Sequence, residues 1–345
     1  MRFLAALFAA LLGLLPLPPS AQEATTSFGH GPVPFLLRST TDIGVARPIM
    51  ERFSTLHPAF TIRYEQWGSN ALFGQSRQDC VSGNTPADAI FSSAIHQMIW
   101  LVNAACAAPY RSPATAALPD ARRWRDELWG ITTEPAVIAF NTRLLNGRDV
   151  PRTRFALLDA LRENPELYRG KIATYDISAS GLGYLFAFSD SLEASTFGAL
   201  MESFARVDAV ATCCSAEIIA GVEAGRYLIA YNVLGSYVPK AEAPNVGIIL
   251  PQDYTLVLSR GYMIPKGATQ KAASVALLEF LLTPEGQNLL GQAGLVTVLD
   301  AAETDLAPSA QRAIPLSPAL LVARDPNRRA TLLRFWSDVF RETTP

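Results

Sequence analysis

Apolar positions early in the chain follow two alternating periods. Phe35-Leu36-Leu37 reads as a strand, Ser39-Thr40-Thr41-Asp42 supplies capping residues, and Val45, Ile49, Phe53 and Leu56 then recur on one helix face. Thr61 to Trp67 suits a second strand, and Gly68-Ser69-Asn70 opens a helix carrying Leu72, Phe73 and Cys80. Ala87 to Phe91 is a third strand, followed by Ser92-Ser93 and a helix with Ile95, Met98, Ile99 and Val102 at helical spacing. This β-α-β-α-β-α alternation predicts a mostly parallel sheet with helices on both faces.

A proline-rich stretch from Pro109 to Pro119 interrupts the pattern, and Ile131 to Phe140 then reads as a long strand, broken by Thr132-Thr133-Glu134-Pro135, that crosses to a second lobe. The same logic recurs there: strand Lys171 to Tyr175, loop Asp176 to Gly183, helices near Tyr184 to Phe188, Leu192 to Phe204 and Ala216 to Ala224, and strand Tyr227 to Tyr231. Val246 to Leu250 and Thr255 to Ile264 look like paired strands returning to the first lobe. Helices from Ala272 to Leu282 and from Pro284 to Leu290, and a last one from Arg328 to Phe340, should follow. The expected organisation is an α/β protein of two lobes around a cleft: residues 34–135 and 245–345 in the first, 136–244 in the second, with two crossings as a hinge. No repeat suggests a solenoid or propeller.

The start of the chain changes the picture. Met1-Arg2, an apolar run from Phe3 to Leu15 and then Pro16-Leu17-Pro18-Pro19-Ser20-Ala21 form a secretory signal pattern, expected to span residues 1–21, with cleavage after Ala21 or Ala24. No Cys lies nearby to carry a lipid, and charges interrupt every later apolar run before it reaches membrane-spanning length. Twenty-nine Lys and Arg stand against 31 Asp and Glu, with no basic run to track a nucleic acid backbone, so nucleic acid is excluded as a partner. In an oxidising compartment Cys80 and Cys106 either form a disulfide across one lobe or remain two buried thiols. The adjacent Cys213-Cys214 are either a vicinal disulfide or two ordinary thiols. His30, His57 and His96 are scattered and no CxxC occurs, so neither a zinc site nor any other cofactor is expected.

Ligands of open α/β sheets bind beyond the carboxyl ends of the strands. Three loops there are rich in hydroxyls: Ser39-Thr40-Thr41-Asp42, Ser92-Ser93, and Ser178-Ala179-Ser180-Gly181. Helix N-termini beside them make anion seats, although Ser and Thr also serve as plain caps. Thr133 at the crossing, and Asn232, Ser236 and Tyr237 after a strand end, should face the same cleft. Arg260 lies inside an apolar strand, where a charge needs either an anionic ligand or a buried carboxylate. Trp67 and Tyr64 either wall the pocket or belong to the core. No nucleophile with a base, no carboxylate pair and no Gly-x-Ser-x-Gly stands out, and Asp42 reads as a helix cap, so no enzymatic chemistry is expected.

The stretches Ser39-Thr40-Thr41-Asp42, Ala87-Asp88-Ala89-Ile90-Phe91-Ser92-Ser93 and Tyr231-Asn232-Val233-Leu234-Gly235-Ser236-Tyr237 together resemble type 2 periplasmic solute-binding proteins of ABC transporters. So do Asp253-Tyr254-Thr255-Leu256, Ile264-Pro265-Lys266-Gly267 and Thr283-Pro284-Glu285-Gly286-Gln287. The likeness is to the branch of iron, phosphonate and phosphosugar binders. It implies a monomeric periplasmic protein that closes like a Venus flytrap on a small anionic ligand, phosphorylated, phosphonate or carboxylate, and delivers it to a permease in the inner membrane. Similarity to phosphoglycerate-transport regulatory proteins leaves a sensor kinase as the alternative partner. The iron binders of this branch use adjacent tyrosines, whereas Tyr231 and Tyr237 are separated here and Thr212-Cys213-Cys214-Ser215 has none, so ferric iron stands as the alternative ligand.

Overall fold

The computed structural model describes residues 22–83, 86–145, 150–238, 243–299 and 306–340, and the signal segment expected over residues 1–21 lies outside them. In the first lobe, strands β1 (Gln22–Phe28), β2 (Val33–Ser39), β3 (Phe60–Trp67), β4 (Ala89–Ser92), β5 (Arg123–Trp124) and β6 (Leu128–Gly130) alternate with helices α1 (Ile43–Leu56), α2 (Ser69–Ser82), α3 (Ile95–Asn103) and the short α4 (Pro113–Ala116). The second lobe holds β7 (Glu134–Asn141), α5 (Thr142–Leu145), α6 (Arg154–Glu163), α7 (Pro165–Tyr168), β8 (Ile172–Tyr175), α8 (Gly181–Glu193), α9 (Phe197–Arg206), β9 (Val210–Thr212), α10 (Ser215–Glu223), β10 (Ile229–Leu234), β11 (Val246–Ile249) and β12 (Thr255–Leu258). The chain then re-enters the first lobe as β13 (Gly261–Met263), α11 (Lys271–Leu282) and α12 (Pro284–Gln292). It ends on the second with β14 (Gln311–Ala313) and a C-terminal helix, Pro326–Val339.

In both sheets parallel pairs form where the sequence alternates strand and helix, and antiparallel pairs join the other strands, except that β14 lies parallel to β12. The first runs β1-β3-β2-β4-β13-β6-β5, parallel across β3-β2-β4. The second runs β14-β12-β7-β10-β8-β9, parallel across β10-β8-β9, with β11 added to β7. The sheets are therefore mixed. The strands at 246–264 do not pair with one another: β11 and β12 both pair with β7, and only β13 returns, between β4 and β6. Ser259-Arg260 separates β12 from β13, a break that a continuous apolar reading of 255–264 conceals. The C-terminal helix packs on α9 rather than on the first lobe.

Side-chain parity explains the packing. Phe35, Leu37 and Ser39 alternate inward along β2, and Ala46, Ile49, Met50 and Phe53 form the buried face of α1. That face is rotated from the expected one, leaving Val45 half-buried and Leu56 exposed. Ile95, Met98, Ile99 and Val102 of α3 are all buried. Phe35, Phe53, Ile62 and Tyr262 anchor the first core, and Leu157, Ile172, Phe204 and Trp336 the second.

Cys80, at the end of α2, is bonded to Cys106, after α3, with Sγ–Sγ 2.04 Å. Closing a loop of 26 residues removes unfolded-chain entropy worth about 3 kcal/mol. The C80A/C106A variant should lose that much in guanidinium unfolding, with the midpoint unmoved if the bond contributes nothing.

Candidate functional site

Five helices begin at the same cleft. From the first lobe, Asp42 precedes α1, Gly68-Ser69 starts α2 and Ser93 precedes α3; from the second, Ala179-Ser180 precedes α8 and Cys214-Ser215 starts α10. The reason is topological: each helix follows a strand (β2, β3, β4, β8, β9) of a parallel pair, so all five N-termini lie at strand carboxyl ends. Their positive dipole ends point at one region, although the first-turn amides of Ile43, Gly181 and Gly183 already donate to Gln66, Ser69 and Ser180. The lobes are nearly shut on it, leaving a cavity of about 80 Å³ walled by Trp67, Tyr175 and Tyr237. A second chamber of about 1030 Å³ adjoins it, sharing Asp42, Ala216 and Tyr237.

Hydroxyls cover the cavity surface. The amide of Ser93 donates to Thr40 Oγ1 at 3.0 Å, and the two side-chain oxygens lie 3.1 Å apart. Tyr175 and Ser215 share a hydrogen bond of 2.5 Å, while the Leu234 amide donates to the Tyr175 oxygen at 3.3 Å. Ser180 caps α8 by accepting from the Gly183 amide. Gly183 is required here, because a Cβ would stand 2.3 Å from that of Tyr175.

Closure is held by polar bonds between the lobes. The Gly181 amide donates to Ser69 Oγ at 2.8 Å, and Asn70 Nδ2 donates to the carbonyls of Ser178 and Ala179 at 2.9 Å each. Gln97 Nε2 donates to Asn70 Oδ1 at 2.8 Å. Nearby, His96 is buried on α3, with Nδ1 lacking a partner, and burial lowers its pKa to about 3.

The charge on Arg260 is compensated by a carboxylate, which settles the choice the sequence left open. Its Nε and Nη2 donate to the two oxygens of Glu134 at 2.7 and 3.0 Å, with both side chains fully buried. Burial alone would lower the guanidinium's pKa, but the Glu134 carboxylate raises it above the ordinary value. Thr132 and Ser236 also donate to Glu134, and Arg260 Nη1 donates to Thr41 Oγ1 at 3.0 Å. The network thus ties a first-lobe loop and a second-lobe loop to both crossing strands. A third segment joins them, since Thr133 exchanges backbone hydrogen bonds with Leu295 and Thr297. On the cavity wall, burial raises the pKa of Asp42, opposed by Arg260 and reinforced by Glu23. Burial pushes Tyr237 up to about 12.

Of the sequence candidates, Thr40, Ser93, Ser180 and Tyr237 meet in the cavity, as does Trp67. Ser39 and Ser92 turn inward to hold backbone amides of their own loops, and Tyr64 is core, its hydroxyl on the Thr41 carbonyl. Thr41, Thr133 and Arg260 belong to the hinge. Ser178 and Gly181 make the closure contacts, and Ser236 faces the larger chamber. Asn232 is buried with positive φ of 58° and an unpaired Oδ1, and it does not line either chamber. Asp42 precedes α1 without capping it; its carboxylate instead accepts from Gln66. Ser69, Tyr175, Ser215 and Glu23 join the site unforeseen. The first three stand at strand-to-helix junctions, the signal that marked the other loops. Glu23 arrives on β1, an edge strand paired with β3, in a stretch for which the sequence pattern offers no element.

The model of the family described as bacterial extracellular solute-binding protein matches residues 39–288. The chain is similar to the crystal structure of a substrate binding protein of an ABC transporter from Agrobacterium tumefaciens, at 28% identity and a TM-score of 0.87, covering 94% of this chain and all of that one. It shares its fold with the fructose-6-phosphate-bound periplasmic binding protein AfuA from Actinobacillus pleuropneumoniae (15% identity, TM-score 0.70, 90% of this chain and 100% of that one). It does so too with iron-bound HitA from Pseudomonas aeruginosa (18%, 0.66, 89% and 99%). None of the curated proteins matches the sequence.

Proposed function

The chain belongs to the bacterial extracellular solute-binding protein family, and from that premise we propose that it captures a small anion between its lobes, in the periplasm, and hands it to an ABC permease without altering it. The observation that carries the anion is the convergence of five helix N-termini on one hydroxyl-lined cavity. Backbone amides and helix ends favour phosphate, phosphonate or carboxylate groups without a fixed cation. Arg260 lies behind them with its charge matched by Glu134, so the anion field comes from the backbone rather than from a free side chain. Asp42 and Glu23 on the same wall suit a ligand whose other end donates hydrogen bonds.

Because ligand contacts would come from both lobes, binding stabilises the closed form selectively, which is what a permease can recognise. Ferric iron is the second reading, since Tyr175 and Tyr237, distant in sequence, line the same wall. Among the described residues no group of three or more His, Cys, Asp or Glu is placed to hold a metal ion. A thermal-shift screen separates the two. Phosphomonoesters, phosphonates and small carboxylates at 100 times their dissociation constant should stabilise the protein by about 2.7 kcal/mol. Stabilisation by ferric iron alone would refute the anion reading.

A further inference from the structure

Cys213 and Cys214 are joined to each other, with Cα atoms 3.8 Å apart, and both line the cavity. Cys213 is exposed and Cys214 half-buried at the position preceding α10. A cross-link between neighbours closes the smallest loop there is, so it constrains almost nothing in the unfolded chain. The pair therefore contributes little to folding, unlike Cys80–Cys106. Its placement is chemical: it replaces the hydroxyl or carboxyl cap expected before a helix with two sulfurs that neither donate nor accept strongly. No side chain caps the start of α10, and its opening residues Cys214, Ser215 and Ala216 line the cavity.

We propose that the Cys213–Cys214 disulfide is a redox control on this ligand seat: closed, it leaves the N-terminus of α10 free for the ligand's anionic group; opened by a dithiol reductant, it supplies a thiolate that takes that place. The inference rests on the anion reading above. In the step, the two thiols of the reductant form its own disulfide as the Cys213–Cys214 bond breaks, and two electrons and two protons pass to the pair. Cys214 then releases its proton to solvent. A thiol at a helix N-terminus ionises more readily than a free one, because the dipole favours the thiolate. Glu217 in the first turn of α10 and Glu23 and Asp42 across the cavity oppose it. The thiolate also repels an incoming anion. The pair would thus couple solute capture to the redox state of the surrounding compartment.

Isothermal titration with inorganic phosphate, glycerol 3-phosphate, methylphosphonate and citrate, each with and without dithiothreitol, tests the proposal on the full-length mature protein. Reduction should weaken the wild-type protein's binding to whichever anion it takes by tenfold or more. The C80A/C106A variant, whose only remaining disulfide is the adjacent pair, should show the same loss. In C213A/C214A the affinity, whatever its value, should not respond to the reductant, although Cys80–Cys106 still opens. Equal binding by oxidised and reduced wild-type protein, with alkylation and peptide mapping showing Cys213 and Cys214 as free thiols, overturns the redox control and leaves the anion reading standing. A reductant effect that persists in C213A/C214A overturns it equally. If the oxidised protein binds none of the four anions, the anion reading fails and this inference with it.

Discussion

Glu134→Ala should cost the folded protein about 3–5 kcal/mol, because it leaves Arg260 buried with its charge unmatched. Both side chains are fully buried and joined by two hydrogen bonds. Removing both charges together is a different perturbation. The double variant E134L/R260M should recover most of the loss, since a buried ion pair contributes little more than a well-packed apolar pair of similar volume. Chemical unfolding of the wild type, the single variants E134L and R260M and the double variant forms a cycle that measures the coupling directly. A single variant as stable as the wild type would show that the pair is not what anchors the crossing strands. The double variant should still pay in function: Ser236 and Thr41 lose their shared anchor, so the two lobes lose a defined closing angle and ligand affinity falls even where stability returns.

The second large effect is acid sensitivity through His96. In the unfolded chain its imidazole takes a proton near pH 6.5; in the folded protein burial holds it neutral down to about 3, aided by the positive charges of Arg324 and Arg329. The folded state therefore loses nothing above pH 6.5 and is progressively disfavoured as pH falls from 6.5 toward 3, at about 1.4 kcal/mol per pH unit. Between pH 7.5 and 4.5 the loss from this residue alone should reach about 2–3 kcal/mol. His96→Phe keeps an aromatic ring against Tyr184, 5.6 Å away between centroids, and removes the titration. Guanidinium unfolding of both proteins at the two pH values should give a smaller acid loss in the variant; identical losses would show that His96 is not held neutral. The residue sits on α3, where the first lobe meets α8 and the segment Pro318–Arg324, so its protonation acts first on the contact between the lobes.

What the sequence could and could not reveal divides along physical lines. Strand-helix alternation with clean periodicity, as in β2-α1-β3-α2-β4-α3, is local information, and those elements stand close to where the pattern puts them. Strand pairing at 246–264 is not local. The apolar run there continues through Arg260, whose partner lies more than a hundred residues away, so nothing nearby marks the point where the chain leaves one sheet for the other. The hydroxyl loops show the same limit at finer scale. Ser39 and Thr40 are neighbours of the same chemical type, yet one faces its own loop and the other the cavity, because strand parity turns successive side chains to opposite sides. Tyr175 and Tyr237 become neighbours only when β8 and β10 pair, so a search for adjacent tyrosines passes over them.

The interleaving of the two lobes also governs when each can form. Strand β4 acquires its neighbour β13 only after roughly 170 more residues have been made, and contacts of such separation are slow to close because the loop entropy must be met before the pairing rewards it. The first core also waits for α11 and α12, so neither lobe is a unit that can finish while the ribosome still holds the rest of the chain. A polypeptide ordered in this way stays open until its last third is available, and an open chain is the form that a secretion channel can thread.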